Sequence, residues 1–127
     1  MAFYIQYGQN DEANRPLIYC VGNAFPARDR QEYWYYVESI FEFDGAGGDP
    51  DWHIERYIDE QGKVMYWVRS STDISGLEPA CGDYEEDLVK HYFAKTMWEY
   101  ARVHPESSTK IQELINKYQL GLQADKQ

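Results

Sequence analysis

Residues 33–43 read Tyr-Trp-Tyr-Tyr-Val-Glu-Ser-Ile-Phe-Glu-Phe, and two incompatible elements can be drawn through them. As a strand, Tyr33, Tyr35, Val37, Ser39, Phe41 and Phe43 point one way, with Trp34, Tyr36, Glu38, Ile40, Glu42 and Asp44 opposite. That is the period of two that a pleated sheet imposes. As a helix, Tyr33, Tyr36, Val37, Ile40 and Phe41 make a stripe, with Asp29 and Glu32 as a capping box ahead of it. Dense aromatics and the cleaner alternation favour the strand. On that reading Glu38, Glu42 and Asp44 extend the polar face of a sheet sideways.

Downstream, residues 44–51 (Asp-Gly-Ala-Gly-Gly-Asp-Pro-Asp) read as a flexible loop. Its glycines do not make a phosphate loop, because no Lys-Ser/Thr follows and Asp44, Asp49 and Asp51 would repel an anion. The clearest signal comes next: Trp52 to Asp59, a turn at Glu60-Gln61-Gly62, and Lys63 to Arg69. Both arms alternate, with Trp52, Ile54 and Ile58 on one face and Val64, Tyr66 and Val68 on the matching face, which predicts a hairpin.

Ser70 to Gly82 reads as an irregular connection, after which Asp83 and Glu86 have the spacing of a capping box. Leu88, Val89, Tyr92, Phe93, Met97, Tyr100 and Ala101 then form a helical stripe. Pro105 breaks it, a second helix spans Glu106 to Tyr118, Gly121 stops it, and the tail 123–127 is expected to fray. Upstream, Phe3 to Tyr7 and Leu17 to Val21 read as a further pair of short strands. The sum is one α+β domain over 1–127: an antiparallel sheet of about five strands within 3–69, and two C-terminal helices within 84–119 packed on one face.

Composition narrows the function classes. The net charge of −10 in 127 residues disfavours approach to nucleic-acid phosphates or anionic lipid and favours encounter with a cationic protein. No run reaches the length of a membrane span, and the N-terminus lacks the basic and apolar regions of a signal peptide. Cys20 and Cys81 are too few for a disulfide framework, so a reduced, cytoplasmic setting is expected. Acids concentrate in two stretches, Glu38 to Glu60 with Arg56 as its one base, and Thr72 to Val89 with none.

The candidate site is an acidic sheet face. Alternate residues of a strand lie about 6.6 Å apart on one side, so Asp51, His53, Glu55, Tyr57 and Asp59 form a polar row. Glu38, Glu42 and Asp44 extend it, Asp49 supplies a loop carboxylate, and Trp34, Tyr36 and Tyr57 are the expected aromatic anchors. Asp51-x-His53-x-Glu55 also has the alternation of a strand metal site, but no second His or fourth ligand lies nearby in sequence, so no metal or other cofactor is expected. Cys81 precedes a helix start, yet Asp83, Glu85 and Glu86 disfavour its thiolate. Acids are too abundant for any carboxylate pair to stand out as catalytic.

The chain is therefore expected to be a non-enzymatic module that neutralises a basic protein. In size, charge and aromatic content it resembles the small acidic immunity proteins that bacteria pair with nuclease toxins, and the acidic inhibitors made by phages. The resemblance covers no alignable stretch and transfers no residues; it implies a basic partner of the nuclease-toxin kind, with carboxylates standing where phosphates would lie. Two other classes remain open: a small enzyme or ligand-binding protein with an aromatic pocket between sheet and helices, and a homo-oligomeric scaffold subunit.

Overall fold

The computed structural model describes residues 13–26, 34–48, 52–70 and 81–120. Its elements run α1 (Arg15–Ala24), α2 (Tyr35–Glu42), β1 (Gly45–Gly48), β2 (Trp52–Ile58), β3 (Val64–Ser70), β4 (Cys81–Glu85), α3 (Glu86–Val103), a 3₁₀ turn (Pro105–Ser107) and α4 (Ser108–Tyr118). The strands form one antiparallel sheet in the order β1-β2-β3-β4. The α+β class and the two C-terminal helices agree with the sequence reading. Among the described residues there are four strands rather than five, and two additional helices. The expected strand Phe3 to Tyr7 lies outside the described residues.

Hairpin β2–β3 is the best-specified part. Trp52, Ile54, Tyr66 and Val68 are buried on its inner face, as their alternation requires. Its turn closes with Asp59 N–H donating to Lys63 O (2.9 Å) and Gly62 N–H donating to Asp59 O (3.0 Å). Gly62 takes φ 79°, a left-handed value that glycine adopts without a Cβ clash. The Asp59 carboxylate accepts from the N–H groups of both Gln61 and Lys63 (2.9 Å each), an Asx-type lock on the turn. Ile58, placed on the buried face by sequence, is 53% exposed.

Two segments read as strands are helices. Leu17 to Val21 lies within α1, where Pro16 occupies the first turn, a position that its fixed φ suits. A five-residue apolar run fits a buried helix as well as a strand, and here Leu17, Ile18, Cys20, Val21 and Ala24 all enter the core. Helix α1 packs on all four strands. Its Cys20 thiol reaches the sheet backbone, donating to Arg69 O (3.4 Å) and more distantly toward His53 O (3.8 Å). Burial pushes that thiol up to about 12, so it is a packed, unreactive group.

Tyr33 to Phe43, favoured above as a strand, contains helix α2. Trp34, Val37 and Ile40 are buried and Phe41 is partly so. That stripe has helical spacing, and it is selected by the core it meets. The Trp34 ring sits edge-on to Phe25 and Tyr100 (centroids 5.6 and 5.4 Å), and Phe41 lies between Phe93 and Tyr118 (4.9 and 5.0 Å). Aromatic contacts of this kind add to simple area burial. No strand could present both 34 and 37 to one side.

The expected glycine loop is also different: Gly45–Gly48 is edge strand β1, in register with Trp52 to Glu55. Asp44 precedes it at φ 67°, turning the chain out of α2, and its carbonyl accepts from Arg56 N–H (2.7 Å). The buried Ser39 hydroxyl donates to Gly45 O (2.6 Å). A Cβ at Gly45 would lie 2.8 Å from Ile54 O, and one at Gly47 would lie 2.9 Å from Trp52 O. The strand is thus seated so closely on β2 that glycine is required.

At the other edge, Asp83 does not cap a helix; it lies within β4, which runs directly into α3 with Glu85 at the N-cap and no side-chain cap bond. Helix α4 ends at Tyr118 through Gln119 in the left-handed conformation (φ 57°), not through Gly121, which falls outside the described residues. Replacing Gly45 with Ala is expected to cost about 1–3 kcal/mol by overpacking against β2. This would be read as a lower urea midpoint with an unchanged m-value; an unaltered midpoint would show that β1 is not seated this closely.

Candidate partner-binding site

Helices α1, α2 and α3 pack against the inner side of the sheet and α4 packs against α3, leaving the opposite side open among the described residues. Strand register fixes what that open side carries. Across β1 to β4, one row reads Gly47, His53, Arg69, Cys81 and the next Gly45, Glu55, Trp67, Asp83; Tyr57, Met65 and Glu85 complete a third. Tyr57, Met65 and Trp67 are half-buried, while Glu55, Asp83 and Glu85 are exposed.

Contacts across this face hold it in one arrangement. The Tyr57 hydroxyl donates to the Asp83 carboxylate (2.8 Å), crossing β3; that bond, with burial and the Asp83 charge behind it, raises the phenol above its ordinary value. His53 Nε2 lies 3.2 Å from Glu55 Oε1, and its ring tilts against Trp67 at 5.5 Å between centroids. Lys63 Nζ bonds Glu85, which raises the ammonium, and Asp59 and Asp87 add to the negative surroundings. The face therefore grades from Arg69 at one end to Glu85 at the hairpin end.

The residues expected to bind a partner divide into three groups. His53, Glu55 and Tyr57 do share the open face. Glu38, Glu42, Asp44 and Asp59 do not: Asp59 locks the hairpin turn, and the other three join elements to one another. Glu38 on α2 pairs with Lys110 (3.4 Å) and Glu42 with Lys117 (3.1 Å) on α4, while Asp44 pairs with Arg56 (3.3 Å). The lateral acidic extension vanishes because α2 is a helix lying on the inner side. Asp49 and Asp51 lie outside the described residues. Of the expected anchors, Trp34 is core and Tyr36 packs edge-on to Trp52 (5.3 Å); Tyr57 alone remains at the face.

Met65, Trp67 and Arg69 were missed, although the hairpin pattern contained them: if Val64, Tyr66 and Val68 face inward, the intervening residues must face outward. Asp83 and Glu85 were seen as acidic, but their place beside Trp67 and Met65 depends on β4, which carries no strand-like alternation of apolar residues. Trp98 on α3 is 42% exposed.

No helix among the described residues is long and apolar enough to cross a membrane. No protein-family model, curated protein or solved structure matches this chain.

Two titrations test this assignment of the acids. The Tyr118 hydroxyl and the Lys117 ammonium, in that order, hold the Glu42 carboxyl below its ordinary value of 4.5. A depressed carboxyl stabilises the fold above its unfolded pKa, and the effect is lost as pH falls through the folded value. Glu42→Gln should therefore be less stable than wild type at neutral pH and equal to it in strong acid, by chemical denaturation at each pH. On the open face, Asp83→Asn should bring the raised Tyr57 phenol back toward its ordinary value of 10, seen by NMR titration of its ring; an unshifted titration would remove the Tyr57–Asp83 contact.

Proposed function

We propose that the chain is a non-enzymatic binding module that neutralises a basic protein through the open face of its sheet. The observation that carries this reading is the placement of Tyr57, Met65 and Trp67 side by side on that face, rimmed by Glu55, Asp83 and Glu85. Aromatic and Met side chains supply contact area that excludes water, and flanking carboxylates select Lys and Arg. The overall charge of −10 speeds encounter with a cation and disfavours nucleic acid as the direct ligand.

The proposed site differs from the sequence expectation in size and position. It keeps His53, Glu55 and Tyr57, gains Met65, Trp67, Asp83 and Glu85, and releases the acids that bind α4 or lock turns. A partner that normally grips phosphates presents Lys and Arg at spacings that carboxylates can occupy. An immunity or inhibitor protein that blocks a nuclease-type toxin, or another nucleic-acid-binding protein, is therefore the specific role we propose for this face.

Affinity capture from a native lysate with graded salt washes, repeated with purified partner, tests the proposal. A basic protein should be retained at low salt and weakened as salt rises. E55K/D83K should reduce its affinity at least about tenfold and flatten the salt dependence, whereas charge removal at Glu106, exposed at the far turn, should leave both unchanged. Equal affinity and an equal salt slope for E55K/D83K would exclude this face; recovery of only a salt-indifferent self-association would exclude the function.

A further inference from the structure

Among the described residues the sheet ends at β4, and the backbone hydrogen bonds fix which of its main-chain groups face outward. In an antiparallel pair, residues alternate between those that exchange both N–H···O bonds with the partner strand and those that point away from it. Arg56 N–H bonds Asp44 O, and Asp59 N–H bonds Lys63 O. With the continuous register, the first bond directs 52, 54 and 56 toward β1; the second independently directs 53, 55 and 57 toward β3. Residues 65, 67 and 69 of β3 then bond back to β2, while 66 and 68 bond to Tyr84 and Gly82 of β4. The N–H and C=O of Cys81 and Asp83, and the N–H of Glu85, are left pointing away from the sheet. Among the described residues no strand lies beyond them.

The same residues carry the edge's side chains on the open face, Asp83 and Glu85 two positions apart. Among the described residues each carboxylate is bonded through one oxygen, Asp83 to Tyr57 and Glu85 to Lys63. A strand laid along β4 would place its own alternate side chains about 4.5–5.5 Å from these acids. Main-chain pairing would supply part of the affinity and the side-chain pitch the selectivity.

Three occupants compete for such an edge. A second copy of β4, paired antiparallel about Asp83, would set carboxylate opposite carboxylate, which is destabilising. Charges at that position are also how sheets discourage edge-to-edge association. An apolar strand would leave both acids without compensation. A strand with Lys or Arg at alternate positions meets both demands.

We infer that the basic partner inserts an extended segment with alternating Lys or Arg as a fifth strand on β4, its cations against Asp83 and Glu85. This rests on the binding function proposed above and specifies how that partner is held. The open face and the new strand then form one continuous surface, with Trp67 and Tyr57 adjoining the inserted cations.

The probe is a capped eight-residue peptide alternating Lys and Val, with a control of the same composition in which lysines stand in adjacent pairs. Amide hydrogen exchange by NMR supplies the readout on the full chain. In the free protein, the amides of Cys81, Asp83 and Glu85 should exchange fast and those of Gly82 and Tyr84 slowly. The alternating peptide should slow the first three at least about tenfold, the control peptide should not, and D83K/E85K should abolish the effect while keeping Gly82 and Tyr84 protected. Protection of Asp83 and Glu85 in the free protein would overturn the inference, since the edge would already be paired. So would peptide-induced shifts confined to Tyr57 and Trp67, or equal protection by both peptides. A basic protein captured by wild type with no slowing at β4 would overturn edge insertion while leaving the function of the open face standing.

Discussion

The arrangement depends on one strip of side chains, Trp52, Ile54, Tyr66 and Val68, on the inner face of a hairpin with seven residues in each arm. Full burial of a large apolar side chain contributes roughly 1.5–3 kcal/mol, and these four lie on paired strands that α1, α2 and α3 cover together. Because residues of opposite parity cannot reach that core, everything between them is committed to the other side. The open face is the geometric complement of the strip.

The helices follow from the same constraint. Helix α1 lies on the sheet with its thiol against two strand carbonyls, and α3 brings Phe93, Met97 and Tyr100 to the layer above. Trp34, Phe25 and Phe41 fill the space between, so α2 is held by aromatic contacts with residues distant in sequence. Its carboxylates then meet Lys110 and Lys117. Exposed ion pairs contribute little stability individually; here they link α2 to α4.

Charge abundance was therefore a poor guide to which acids are available. Glu38, Glu42, Asp44 and Asp59 lie in the densest acidic stretch and are engaged in holding the fold together. Asp83 and Glu85, from a different stretch, stand beside Trp67 and Met65. A carboxylate's neighbours in space determine whether it is engaged within the fold, and those neighbours come from elements far along the chain.

The sequence alone determined hairpin β2–β3, its turn and the helical stripe of α3, because in each the period of apolar residues, the turn glycine and the hydrogen-bond pattern agree locally. The break at Pro105 is equally local, since proline cannot continue a helix by its own covalent structure. Only the tertiary structure decided the rest. Tyr33 to Phe43 satisfies two periods at once, and the choice fell to the rings of Phe25, Phe93 and Tyr100. Leu17 to Val21 is apolar in either conformation, and the inner face of the sheet selected the helix. Gly45–Gly48 carries no side-chain signal because its strand is defined by backbone contact at a distance that only glycine permits. Trp67 was brought to Asp83 by the pairing of β4, a non-local contact with no trace in the local pattern of either strand.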